Sequence, residues 1–216
     1  MHKNPFISGI KTGLFLQLAI GPVFFYIVGI SIESNFTNSL LAVLAVTIAD
    51  YLYIGLSIIG IGKLLQKERI KRNFGLLSSI ILILFGIMIL YKGLGHISQP
   101  QQISSFVWTP LNSFVSAFIL TISSPLTIVF WSSIFSAKAI ENNYRRNALI
   151  LFGVGAGSAT FIFLSLAMAV LAIIKTNIPD LMIQIMNCLV GLILIYYGVM
   201  RSITFIKGDS SESEGS

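Results

Sequence analysis

The chain alternates long apolar runs with short polar ones. Charge-free stretches cover Thr12 to Ile32, Leu40 to Gly62 (interrupted only by Asp50), Phe74 to Tyr91, Val115 to Ala137, Ala148 to Ile174 and Leu181 to Met200. Each is near the roughly 20 residues that cross about 30 Å of hydrocarbon at 1.5 Å per residue. Periodicity adds nothing, because the runs are apolar all round. The pattern predicts an all-α membrane protein with six transmembrane helices. The pieces between them, "ESNFTN", "KLLQKERIKRN", "GHISQPQQISSFVWTP", "KAIENNYRRN" and "KTNIPD", read as loops. The tail "GDSSESEGS" is polar and of low complexity and is predicted to be disordered.

Composition sharpens this picture. The 216 residues are 55% hydrophobic and only 10% charged, with a mean hydropathy of +0.88. A soluble domain carries about 25% charged residues. The first apolar run is full length and lacks a cleavage site, so it is expected to be a span rather than a signal peptide. The single Cys188 lies in an apolar run and excludes an intrachain disulfide. His2 and His96 sit in terminal or loop sequence without ligand partners, so no metal or other cofactor is expected. No paired carboxylates and no Ser/His/Asp set occur among the runs, which argues against an enzyme.

The net charge of +6 is unevenly placed. Twelve of the 14 Lys and Arg fall in the N-terminus, the second and fourth loops and the tail; only Lys92 and Lys175 fall on the other side. Positive-inside bias then puts both termini in the cytoplasm. The basic excess reads as a topology signal facing lipid, not as a nucleic-acid surface.

Two of the runs contain a central proline. Pro22 lies in "FLQLAIGPVFFYIVGI" and Pro125 in "FILTISSPLTIVFWSSIF", 103 positions later. Proline inside a helix costs about 3 kcal/mol and leaves a carbonyl without a donor. A second pair recurs: Gly86, Tyr91 and Gly93 of "LFGIMILYKG" match Gly191, Tyr196 and Gly198 of "LVGLILIYYG" at an offset of 105. Three spans per copy means the second copy enters the membrane from the opposite side. The expected architecture is two inverted three-helix repeats, residues 1–95 and 113–207, joined by a linker (96–112) and followed by the tail (208–216). Helices one and four are broken at Pro22 and Pro125. Secondary transporters recurrently place their binding site at such paired breaks, where bare backbone groups can hold a small polar solute.

The candidate site residues follow from that reading. Asp50 is the only acidic residue well inside a span, where a carboxylate costs about 2.5–3.5 kcal/mol on insertion scales. It is expected to carry a coupling proton, bind a substrate ammonium, or alternate between the two. Gly21, Pro22 and Pro125 form the breaks; Gln17, Ser123 and Ser124 lie beside them; Thr47 is one turn from Asp50. Phe24, Phe25, Tyr26 and Trp131 are pocket or packing aromatics, and Asn187 is expected to bond another helix. Gly153 and Gly157 in "FGVGAGSA" have small-xxx-small spacing, which suits close packing inside the bundle or at a dimer face, leaving a homo-oligomer open.

The segments "LAIGPVFF", "TIADYLYIGL" and "TISSPLTIVFW" resemble the LysE/RhtB family of bacterial amino-acid exporters, with agreement in length, span number and motif order from Pro5 to Ile206. Gly21, Pro22, Asp50 and Pro125 fall on the family's motif positions. Ser124 stands where the family usually has Asn, which removes an amide from the presumed site. The resemblance implies a multi-pass protein of the bacterial inner membrane that exports amino acids or similar metabolites by exchange for protons or ions. The competing readings are export of another small solute or cation, and a membrane assembly protein without transport.

Overall fold

A computed structural model describes residues 4–17, 21–59, 68–98, 108–142, 144–175 and 179–210. Among them are eight helices: α1 (Pro5–Gln17), α2 (Pro22–Glu33), α3 (Phe36–Ile59), α4 (Glu68–Ser98), α5 (Pro110–Ile122), α6 (Pro125–Glu141), α7 (Arg146–Lys175) and α8 (Asp180–Ser210). Linker residues 99–107, the basic residues Lys63 and Lys67, and the tail from 211 lie outside the described residues. Several boundaries differ from expectation, among them the starts of α1 at Pro5, α3 at Phe36 and α5 at Pro110 and the end of α6 at Glu141. Helix α4 begins within the second loop, and α8 runs into the tail sequence as far as Ser210.

Among the described residues three helices are long and apolar enough to cross a membrane: Phe36–Ile59, Arg146–Lys175 and the Leu181–Thr204 part of α8. The pair α1 and α2, bent by 78°, makes a fourth if taken as one span. Leu76–Tyr91 and Pro110–Ile122 are shorter apolar helices. The outward faces match a lipid surround. Ile162, Leu166, Val170 and Ile173 form an exposed stripe along one side of α7, and Leu181, Ile185, Leu189 and Leu192 do so on α8. Such stripes would drive aggregation in water but are at home against acyl chains.

Small residues set the tightest contacts. Helices α1 and α7 run parallel, and a Cβ added at Gly9 would collide with the Phe152 carbonyl, while one at Gly155 would collide with that of Phe6. Helices α4 and α8 run antiparallel with Gly86 and Gly191 face to face; an added Cβ would lie 2.9 Å from the Gly191 carbonyl oxygen or 2.8 Å from that of Gly86. Only glycine lets two backbones approach this closely. Gly153 packs on Ile54 and Phe135, and Gly157 packs on the Tyr51 ring. Both therefore serve packing inside the bundle.

One core forms around Tyr26, Ile27, Ile30, Ile89 and Leu194, with Phe24 and Phe25 packed against it. Trp108, which lies in the loop before α5 as expected, joins that core. Its indole N–H donates to Glu33, and its carbonyl accepts from Asn38 Nδ2 at 2.7 Å. Next in the chain, Thr109 and Asn112 form a reciprocal capping box with Pro110 at the first helical position, which fixes the start of α5. Lys175 caps α2 at this same end, donating to the Ser31 carbonyl at 2.7 Å and to that of Ser34 at the C-terminus of α2. Asn187 is buried, and its Oδ1 has no hydrogen-bond partner.

Candidate functional site

Both prolines start new helices, as expected of residues that cannot donate a backbone hydrogen bond. Pro22 is the first residue of α2 and Pro125 the first of α6. The preceding residues, Gly21 and Ser124, are extended and place no side-chain cap on the helix they precede. In place of a side-chain cap, the Phe24 amide donates to the Gly21 carbonyl at 3.1 Å and the Thr127 amide to the Ser124 carbonyl at 3.2 Å. Gly21 has φ −114° and ψ 179°, which any residue adopts, and a Cβ there would meet open space. Glycine at this position leaves room beside the break and is not required by the backbone.

The second break is closed by other groups. Tyr53 of α3 donates its hydroxyl to the Ile122 carbonyl, the last of α5. Ser124 N–H turns back to the Thr121 carbonyl at 3.1 Å, and Ser123 Oγ donates to the Ile119 carbonyl at 2.6 Å. Ser123 is therefore spent within its own helix. The Ser124 hydroxyl accepts from Arg201 Nη2 at 3.1 Å, and Arg201 Nη1 donates to Ser78 Oγ at 2.7 Å.

Asp50 is buried, with 7% of its surface exposed. Thr160 of α7 donates to Asp50 Oδ2 at 2.9 Å, and the Trp131 indole of α6 reaches Oδ1 at a long 3.5 Å. Gln17, the last residue of α1, donates its side-chain amide to Thr160 Oγ1 at 2.7 Å. A polar chain thus runs from the end of the first broken helix, through α7, to the carboxylate on α3, with the second broken helix contributing the indole. Among the residues whose side chains are described, no lysine or arginine pairs with Asp50. Thr47 donates to the Val43 carbonyl at 2.8 Å and does not bond Asp50.

Of the residues singled out in the sequence, the structure brings Gln17 and Asp50 into one network and puts Ser124 in a second. Gly21, Pro22 and Pro125 form the breaks, while Thr47 and Ser123 bond locally. Sequence reasoning passed over Thr160, Tyr53 and Arg201. Thr160 is a polar residue three positions after Gly157, a weak signal, and Arg201 was absorbed into the charge count of the cytoplasmic side. Among the described residues no group of three His, Cys, Asp or Glu could hold a metal ion.

The chain was compared with known proteins. The family model described as "LysE type translocator" matches residues 14–203. A Bacillus subtilis (strain 168) protein named "Putative amino acid efflux protein YcgF" is 29% identical over 157 residues, which cover 70% of this chain and 73% of that protein. No solved structure matches. Because the family match runs from within α1 nearly to the end of α8 and takes in both breaks and Asp50, the chain belongs to the LysE type translocators, and it is a membrane transporter and not an enzyme.

Proposed function

We propose that the protein is a secondary exporter of amino acids or closely related small metabolites, driven by exchange for protons, with six spans in the bacterial inner membrane and both termini in the cytoplasm. The observation that carries this reading is the Asp50 network. A buried carboxylate is expensive in a membrane unless something compensates it. Here it has a hydroxyl and an indole as partners and no fixed cation among the described side chains. A mobile cation, either a proton or the ammonium of a solute, supplies what the fold leaves out.

Mechanistically, Asp50 alternates between two charge-compensated states. Ionised, it holds a solute ammonium; protonated, it is neutral and releases it. Exchange of one for the other on opposite sides of the membrane makes inward proton movement drive outward solute movement. Gln17, Gly21, Pro22, Ser124 and Pro125 lie at or beside the breaks, where the positive ends of two helices without side-chain caps suit a carboxylate. Thr47 and Ser123 contribute by tying their hydroxyls to their own helices. The solute class is drawn from the name of the Bacillus subtilis relative.

Two features support inverted repeats over 1–95 and 113–207. Gly86 and Gly191, which the 105-residue offset makes equivalent, face each other, and Gly86 meets Ile195 while Gly191 meets its equivalent Leu90. A two-fold axis produces this kind of reciprocal contact. The first half of each broken helix also packs on the second span of the other copy, α1 on α7 and α5 on α3, parallel in both cases. The parallel and antiparallel pairings support alternating spans.

The test is counterflow of a labelled amino-acid panel in proteoliposomes, with and without a pH gradient. Saturable counterflow of at least one amino acid, accelerated by the gradient, is expected. Absence of counterflow across the panel refutes amino-acid export; gradient-independent transport refutes proton exchange.

A further inference from the structure

Arg201 stands apart from the other basic residues of the cytoplasmic side. It lies in the last third of α8, and its guanidinium does not turn out to headgroups or water. It donates to Ser78 on α4 at 2.7 Å and to Ser124 at the second break at 3.1 Å. Those two hydroxyl residues are themselves 2% and 9% exposed. An arginine normally snorkels to the interface when it lies near a span end. Here two neutral hydroxyls take two of five N–H donors in a planar fork whose natural complement is a carboxylate. Among the residues whose side chains are described, no Asp or Glu pairs with it. A half-buried guanidinium without a counter-charge is costly, and the cost is removed when an anion arrives.

The location fits a solute. Ser124 immediately precedes α6, whose N-terminus has no side-chain cap, so the guanidinium sits beside a helix end of the same polarity. Tyr53 lies one turn beyond Asp50 on α3 and donates to the carbonyl of Ile122 at that break. The acid and the arginine are both tied to the second broken helix, Asp50 through Trp131 of α6 and Arg201 through Ser124, a polarity matching that of a zwitterion.

We propose that Arg201, with Ser124 and the α6 N-terminus, docks the carboxylate of the exported solute while Asp50 takes its ammonium, so that the protein selects α-amino acids over amines that lack a free carboxylate. This rests on the amino-acid export reading above and adds to it a specific carboxylate site. Arg201 then acts as a specificity determinant, not as a topology marker alone.

The test uses the full-length protein in proteoliposomes. In the wild type, the carboxamide and methyl ester of a transported amino acid are expected to compete at least about tenfold less well than the parent, the scale of a lost charge-assisted hydrogen-bond pair. In Arg201→Gln the parent amino acid is expected to lose about tenfold or more in apparent affinity and the amide almost nothing, so discrimination disappears; Arg201→Lys recovers part of it. Ser124→Ala, which keeps the charge, gives a smaller loss in the same direction and serves if the Arg201 variants do not fold. Equal competition by amide and parent in the wild type overturns the proposal without any variant. So does Arg201→Gln that loses both compounds equally, which marks a structural arginine. Inorganic phosphate competing as well as the amino acid also overturns it, since the site is then a general anion site. In these three cases wild-type amino-acid counterflow persists, and the export reading stands; if no amino acid is transported at all, both fail.

Discussion

The Thr160 hydroxyl donates to Asp50 at 2.9 Å and accepts from Gln17 at 2.7 Å, joining three helices through one oxygen. The bond to Asp50 spans 110 positions of sequence. It connects the carboxylate on α3 to the end of the helix that breaks before Pro22.

Thr160→Val keeps the shape and removes the oxygen. It leaves the Gln17 amide and Asp50 Oδ2 short of a partner, which costs about 1–3 kcal/mol for each buried group. We expect a lower thermal midpoint in detergent. In a double-mutant cycle with Gln17→Leu, the two changes are expected to couple by about 0.5 kcal/mol or more. Strict additivity would show that the pair is not linked.

Asp50→Asn removes the ionisable group while retaining size and hydrogen bonding. The variant is expected to insert and fold, and to lose at least about tenfold of the gradient-driven efflux, the rate equivalent of roughly 1.4 kcal/mol. Its transport should also become flat with pH over the range where wild-type transport changes. A wild-type response to the gradient would remove Asp50 from coupling.

Gly21→Ala tests whether the space beside the first break is used. The backbone there tolerates a side chain and the added methyl meets nothing. Stability is expected to stay within about 0.5 kcal/mol, as for surface changes away from special features, while apparent affinity for solute falls, and falls further in Gly21→Leu. Unchanged affinity in both variants would mean no solute comes near Gly21.

Gly155→Leu is the opposite case. The added Cβ drives into the Phe6 carbonyl on α1, a rigid backbone atom. Overpacking of about 1–3 kcal/mol or more is expected, read as a drop in the unfolding midpoint and in the yield of folded protein. A neutral result would refute the close parallel contact of α1 and α7.

Topology is checked with single cysteines in a Cys188→Ser background. Asn142→Cys, between α6 and α7, should react with an impermeant thiol reagent only from the cytoplasmic side. Asn35→Cys, between α2 and α3, should react only from outside. Both labelling from one side would contradict the positive-inside assignment and the alternating spans.

Much of the helix inventory was legible in the amino-acid order because apolar runs without charge have few alternatives in a chain this hydrophobic. The breaks were legible for a simple reason: proline has no amide hydrogen, so a helix must restart at Pro22 and at Pro125. Asp50 was legible because a carboxylate in such a run is costly and therefore conspicuous. Gly153 and Gly157 announced close packing, but Gly9 and Gly13, at the same spacing in α1, went unremarked although they make the tighter contact with α7.

What the sequence determined by itself was the class of molecule, the position of its interruptions and the one acid that needs a partner, all of them local consequences of hydropathy and of proline. The partners were decided only by tertiary structure. Thr160, Tyr53 and Arg201 look ordinary in the chain, because a hydroxyl in a span costs little and an arginine near a span end is routine. They become distinctive once folding carries the ends of α1 and α8 and the break at Ser124 toward α3. There, in a low-dielectric interior, each unpaired donor or charge counts for far more than it would in sequence alone.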